Sequence, residues 1–244
     1  MPYPVSAARG SKIPSPAALS PLLTGLTHYW KLDEASGVRH DSVGTIHLTP
    51  SANDPASVAG VVGNCADFEE DNTNRLTSST VIPFNGDFSI AFWVNVEEYT
   101  SGAGIYLGIL LTGGVWGQGN GIELLVAYNN ALAFLYYNGS NNDIAIIHAN
   151  LRTAGLWTYV VFTHSAAAKR IECFDSAAGY MGYRDGLTYA WTNGAPSSVG
   201  FHIGKATPPM DGKIDEYGIW NRVLTLTEMG TLYSGGLGKT YPFA

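Results

Sequence analysis

A chain of 244 residues with 45% hydrophobic content can bury one large core, and all-β sandwiches of this length are ordinary as single domains. Charged residues make up 14% and the formal net charge is −7, with no cluster of Lys or Arg; a phosphate-tracking groove needs concentrated positive charge, so no nucleic-acid partner is expected. No apolar run reaches the about 18 residues of a membrane-spanning helix, so no membrane partner is expected either.

Five of the 12 prolines fall before residue 22, at Pro2, Pro4, Pro14, Pro16 and Pro21. A stretch this rich in Pro, Ser and Ala cannot donate a regular ladder, so residues 1–24 are expected to form an extended arm ahead of one domain over 25–244. Its opening lacks the basic-then-apolar order of a secretory leader, and none is expected.

From Gly25 the rhythm is strand and turn. Strands are expected over 26–32, 46–49, 66–68 and 75–78, and then over 88–96, where FSIAFWVNV puts Phe88, Ile90, Phe92 and Val94 on one face and Ser89, Ala91, Trp93 and Asn95 on the other. Apolar residues on both faces make that strand central. Further strands are expected over 105–111, 121–128, 131–137, 144–149, 157–164, 169–174, 179–183 and 200–203, with a tight hairpin at Asn129-Asn130, where positive φ is easily reached. A buried strand over 214–220 follows, and Thr225 or Thr227 with Glu228 then reads as the capped start of a short helix. About a dozen strands in one domain imply two stacked antiparallel sheets.

Tyr29-Trp30-x-Leu32-Asp33-Glu34-x-Ser36-Gly37, Asp41-Ser42-x-Gly44, Gly212-x-Ile214-Asp215-Glu216-x-x-Ile219-Trp220-Asn221-Arg222 and Leu232-Tyr233-x-Gly235 carry a resemblance to the laminin-G-like, concanavalin A-like lectin/glucanase jelly rolls. The resemblance spans roughly residues 25–240, strong at both ends and weak in the middle. It implies an all-β, two-sheet antiparallel jelly-roll β-sandwich with a short C-terminal helical turn. It also implies that one structural calcium ion ties the N-terminal turn to the last strand, with Asp215 as the firmest ligand, Asp41 and Glu34 beside it, and Asp33 able to replace either of the latter two. The competing reading of these acids is that they cap turns and pair with Arg222 or Lys213.

Lectins of this shape hold sugars on exposed aromatic rings flanked by amides. Trp116, Gln118 and Asn120 have that composition, as do Tyr136 and Tyr137, and Tyr183 with Trp191; packing at an interface is the other use of such residues. Trp30, Trp93, Trp157 and Trp220 lie on expected strands and read as core. Glycosidases of this fold class need two carboxylates converging on one bond, usually at alternate positions of a strand. No such run occurs, the six histidines lack metal-ligand spacing, and no G-x-S-x-G elbow is present, so no catalysis is expected. Cys65 and Cys173 read as buried free thiols.

Jelly rolls of the family that this chain resembles occur in tailed bacteriophage particles, and with the Pro-rich arm the resemblance implies a non-catalytic virion surface protein, a phage decoration or fibre-tip component. It would dock on capsid or tail proteins through its arm, touch host surface glycans with its loops, and associate as a homo-oligomer as stand-alone virion proteins often do. The alternative is a secreted bacterial carbohydrate-binding module, extracellular or at the cell surface; a glycoside hydrolase comes third.

Overall fold

The computed structural model describes residues 20–243 apart from 52, 70–73, 81, 83, 85, 98–106, 116–117, 127–131, 139–141, 147–153, 177–178, 185–201 and 204–210; over 107–146, 179–184 and 202–203 it describes the backbone path. Fifteen strands, one short α-helix and two 3-10 turns make up the described chain.

The first strands are β1 (Leu26–Trp30), β2 (Thr49–Pro50), β3 (Ala56–Ala59), β4 (Asn64–Phe68), β5 (Leu76–Thr77) and β6 (Phe88–Val96). Next come β7 (Leu107–Val115), β8 (Gln118–Val126), β9 (Leu132–Asn138) and β10 (Asn142–Ile146). The remainder are β11 (Trp157–Ser165), β12 (Arg170–Asp175), β13 (Gly179–Arg184), β14 (His202–Ile203) and β15 (Gly212–Trp220), followed by helix α1 (Leu226–Tyr233). Every pairing is antiparallel. One sheet runs β13-β12-β11-β6-β15-β4-β3, with β1 also on β15; the other runs β10-β9-β8-β7-β14-β5-β2. This is the two-sheet all-β sandwich expected from the strand periodicity.

The alternation along β6 sorts its residues as the sequence implies. Phe88, Ile90, Phe92 and Val94 join Trp30, Phe68, Leu76, Phe162, Ile214 and Tyr217 in the core between the sheets. Ala91 and Trp93 face the other way, into a second apolar cluster with Tyr29, Tyr159, Val161 and Trp220. Such a face would be costly in water, since burial is worth roughly 25 cal/mol per Å² of apolar surface. Leu22, Leu224, Met229, Leu232 and Phe243 cover it, contributed by the chain ends and α1. Of the four tryptophans read as core, Trp30, Trp93 and Trp220 are buried and Trp157 is half-buried against the second cluster.

Helix α1 starts as its sequence suggests. Thr225 accepts from the Glu228 N–H while the Glu228 carboxylate accepts from the Thr225 N–H, a complete capping box. Arg222 grips the same carboxylate through two N–H groups at 2.6 and 2.9 Å. With Arg222 as the main cause, the Glu228 carboxyl is pulled down to about 2.

Two readings change. The last residues of the expected extended arm, Pro21–Leu23, form a 3-10 turn capped by Ser20, because Leu22 is buried and its carbonyl accepts from the Trp220 indole at 2.7 Å. Residues 1–19 lie outside the described residues, as does the hairpin expected at Asn129-Asn130. The first strand stops at Trp30, not Leu32, where φ reaches +65° and the chain leaves the sheet. The short strand β3 has no counterpart in the sequence reading, since Ala56-Ser57-Val58-Ala59 is too brief and too weakly apolar to declare a period.

Candidate functional site

The N-terminal acids expected to hold calcium are used by the backbone. Asp41 is buried and its two oxygens accept from five donors: the N–H groups of Tyr29, Val43, Gly44 and Ile46, and His28 Nδ1 at 2.6 Å. Burial alone would raise this carboxyl. The bonds from His28 and the backbone outweigh that and hold it below the usual carboxylate range. Gly44 is obligatory here because a Cβ would stand 2.5 Å from Asp41 Oδ2 and 2.6 Å from His28 Nδ1. Glu34 accepts from the His40 N–H at 2.7 Å, and Asp33 from the Asn64 N–H at 2.8 Å.

Asp215 sits elsewhere, on β15 beneath the Gly60–Gly63 turn. Its Oδ2 accepts from the N–H groups of Val61 and Val62 at 2.8 and 3.0 Å, and a Cβ on Gly60 would meet that oxygen at 2.5 Å. The structure therefore does not bring Asp215, Asp41 and Glu34 to one point. Asp33 is the N-terminal acid whose charge acts on Asp215; calcium takes six to eight oxygen ligands, and Asp41, with five donors already on its oxygens, offers none. The physical reason is the turn chemistry that competes for the same carboxylates.

Glu216, the neighbour of Asp215, carries a pattern that the sequence did not reveal. A bulge between Asp215 and Gly218, relative to β6, gives Glu216 a φ of +52° and directs two consecutive carboxyls into buried positions. Tyr29 Oη donates to Glu216 Oε2 in a short bond, and also contacts the Lys239 carbonyl at 3.1 Å. Asp215 Oδ1 and Glu216 Oε1 are buried without a hydrogen-bond partner among the described residues. Burial pushes the Asp215 carboxyl up to about 7 despite the two N–H groups, with the charge of Asp33 adding to it, and pushes Glu216 up to about 8, with the charge of Asp215 adding to it.

A third acidic group, Asp67, Glu69 and Glu97, has its oxygens within 4.8 Å of one another. Lys213 reaches into it, bonding Glu97 and lying 3.8 Å from Asp67, and so supplies the counter-charge itself. Cys65 and Cys173 are both free and buried, and burial lifts the Cys65 thiol to about 12.

The residues expected to bind glycans are distributed over both sheets. Gln118 and Asn120 lie on β8 and Tyr136 and Tyr137 on β9, where the register sets Asn120 opposite Asn138, Ile122 opposite Tyr136 and Gly121 opposite Tyr137. Asn120 and Tyr136 thus occupy one side of the second sheet and Tyr137 the other. Tyr183 is at the far edge of the first sheet, opposite Glu172. Trp116 and Trp191 lie outside the described residues.

A pocket of about 290 Å³ opens elsewhere, where β1, β15 and the entry to β6 meet. Ile82, Phe84, Phe88, Ile219 and Trp220 are its apolar lining, or floor, all buried, and Thr27, His28, Asp87 and Asn221 supply its polar groups, which we call its rim. Of these four only Asn221 lies in a motif that the sequence offered, and none was expected to bind, because they come from three separated segments.

A family model described as the concanavalin A-like lectin/glucanases superfamily, of laminin-G type, matches residues 68–229. Among solved structures, domain 4 of the extracellular GH43 arabinanase AbnA from Geobacillus stearothermophilus, solved in complex with arabinotriose, superposes at a TM-score of 0.66 with 17% identity, covering 88% of this chain and 98% of that one. The binding domain of Paraclostridial mosquitocidal protein 1 gives 0.66 at 12% identity over 86% of this chain, which spans about half (52%) of that structure. The botulinum neurotoxin serotype G binding domain gives 0.60 at 16% identity, over 80% of this chain and 48% of that one. No match is found among curated protein sequences. With the family model covering well over half of its length, and a two-sheet antiparallel sandwich to match, the chain belongs to the laminin-G-like family of concanavalin A-like lectin/glucanase domains.

Proposed function

We propose that this protein is a non-catalytic, lectin-like carbohydrate-binding domain. The observation that carries the reading is the condition of its paired acids. Glycoside hydrolysis needs two carboxyls flanking an open cleft. Among the described residues, Asp215 is 0% exposed and Glu216 3%, and the Asp67–Glu97 pair is occupied by Lys213, which bonds Glu97 and lies 3.8 Å from Asp67. What the described surface offers instead is a pocket lined by apolar side chains and by the polar groups of Thr27, His28, Asp87 and Asn221, the composition of a small-molecule site. The similarity to toxin binding domains and to a domain solved with arabinotriose supports binding over chemistry. A glycan array probed with the full chain tests the reading, alongside a reducing-sugar assay on the glycans that it retains. Retention without sugar release is the expected outcome; release of reducing ends at enzyme-like rates would overturn it.

The Pro-rich stretch before Ser20 favours one addition, attachment to a larger assembly such as a virion. Deleting residues 1–19 should leave glycan binding intact and abolish incorporation into that assembly. Unchanged incorporation would remove the docking role.

A further inference from the structure

We propose that the pocket between β1, β15 and the entry to β6 is a subsite for one neutral N-acetylated hexosamine unit, with the acetamide methyl on the apolar floor. This rests on the carbohydrate-binding reading and locates its site away from the aromatic loops.

The volume of about 290 Å³ lies at the small end of ligand pockets, which run from roughly 300 Å³ upward, and so suits one sugar ring rather than a chain of them. The floor is built from the core. Phe84 and Phe88 meet edge to face at 4.9 Å, and Ile82 and Ile219 are buried beside them. A floor so apolar is poorly suited to bare hydroxyls, which lose water without gaining partners, and well suited to a methyl group.

The rim supplies the hydrogen bonds, and each rim group is held in place by a bond that leaves part of it free. Asp87 Oδ1 accepts from the Ala166 N–H at 2.8 Å, leaving Oδ2. His28 Nδ1 is engaged by Asp41 and the ring stacks on Trp30 at 5.5 Å, so Nε2 is the ring nitrogen left for a ligand. The Thr27 hydroxyl donates to the Ile219 carbonyl at 3.1 Å and keeps its lone pairs. Asn221 is fixed through its backbone N–H to the Gly25 carbonyl at 2.8 Å, and its exposed amide has no hydrogen bond among the described residues. The rim thus offers a carboxylate oxygen as acceptor and an amide as both donor and acceptor, which matches an acetamide N–H and C=O. Asp87 and the net charge of −7 disfavour sialic and uronic acids, leaving a neutral amino sugar as the occupant.

The test is a titration of the ¹⁵N-labelled full chain with N-acetylglucosamine, N-acetylgalactosamine, glucose, galactose and N-acetylneuraminic acid, reading the Trp220 indole signal. An N-acetylhexosamine should shift that signal, with glucose, galactose and N-acetylneuraminic acid at least about ten-fold weaker. Asn221→Ala and Asp87→Ala, both at exposed positions, should each weaken the N-acetylhexosamine about five- to ten-fold with the fold retained. Equal binding of glucose would overturn the acetamide assignment. Binding that both variants leave untouched, or array-positive glycans that never shift Trp220, would overturn this pocket while the carbohydrate-binding reading stands. A blank array together with a silent titration would overturn both.

Discussion

Replacing Glu216 with Gln should stabilise the protein by an amount that grows as the pH is raised. Glu216 is 3% exposed and its carboxyl is lifted from an ordinary 4.5 to about 8, first by burial and then, against the Tyr29 bond, by the adjoining Asp215. Below about pH 4 the folded and unfolded chains both carry the proton, and the full contribution is present. As the pH rises the unfolded chain releases its proton first, so folding must retain one, and stability declines until the folded carboxyl ionises near pH 8. A displacement of this size corresponds to about 5 kcal/mol across the interval, reduced to roughly 2–3 once coupling with Asp215 shares the proton between the two sites. Gln keeps an oxygen for the Tyr29 hydroxyl and has nothing to ionise. Urea unfolding followed by tryptophan fluorescence at pH 5, 6, 7 and 8 measures the difference directly. The gain of Glu216→Gln over the wild type should be small at pH 5 and reach a few kcal/mol by pH 8. A gain that stays constant from pH 5 to 8 would refute the assignment of a proton to this carboxyl.

Asp41→Ala should cost roughly 3 kcal/mol or more in urea unfolding, since it strands four backbone N–H groups and the His28 ring nitrogen. Because the folded Asp41 carboxyl lies below its ordinary value, its share of the stability should be present at neutral pH and fall away as the pH drops below about 4; a penalty that does not shrink in acid would contradict this. Gly60→Ala should lower stability by about 1–3 kcal/mol, because its Cβ would meet Asp215 Oδ2 at 2.5 Å and the Asn64 carbonyl at 2.9 Å, backbone that cannot step aside; an unchanged melting temperature would refute it. Ellman's reagent should find neither Cys65 nor Cys173 in the native protein and both in urea, since each thiol is buried and its pKa is raised.

Strand periodicity carried most of the architecture. FSIAFWVNV announces a strand buried on both faces, and β6 is that strand at the centre of the first sheet; the Thr225–Glu228 spacing announces the cap of α1. The acids were harder to read. Asp41 and Asp215 fall in similar-looking contexts next to glycines, yet a carboxylate that accepts from turn N–H groups and one that awaits a metal have the same sequence signature, and only the count of donors separates them. Glu216 was invisible because a bulge breaks the two-residue alternation at that residue, and alternation is what assigns a face. The grouping at the pocket rim was equally hidden, since Thr27, His28, Asp87 and Asn221 meet only through the order of strands around β15.

Both ends of the described chain converge on Trp220. Its indole holds the Leu22 carbonyl, Arg222 beside it donates to the carbonyls of Thr24 and Pro21 at 2.6 and 3.1 Å, and Phe243 stacks on its ring at 6.4 Å. Cargo or tethers joined before Ser20 and after Phe243 would therefore pull against neighbouring residues of a single strand. Tension between them would be borne at this one knot, leaving the sandwich interior unloaded.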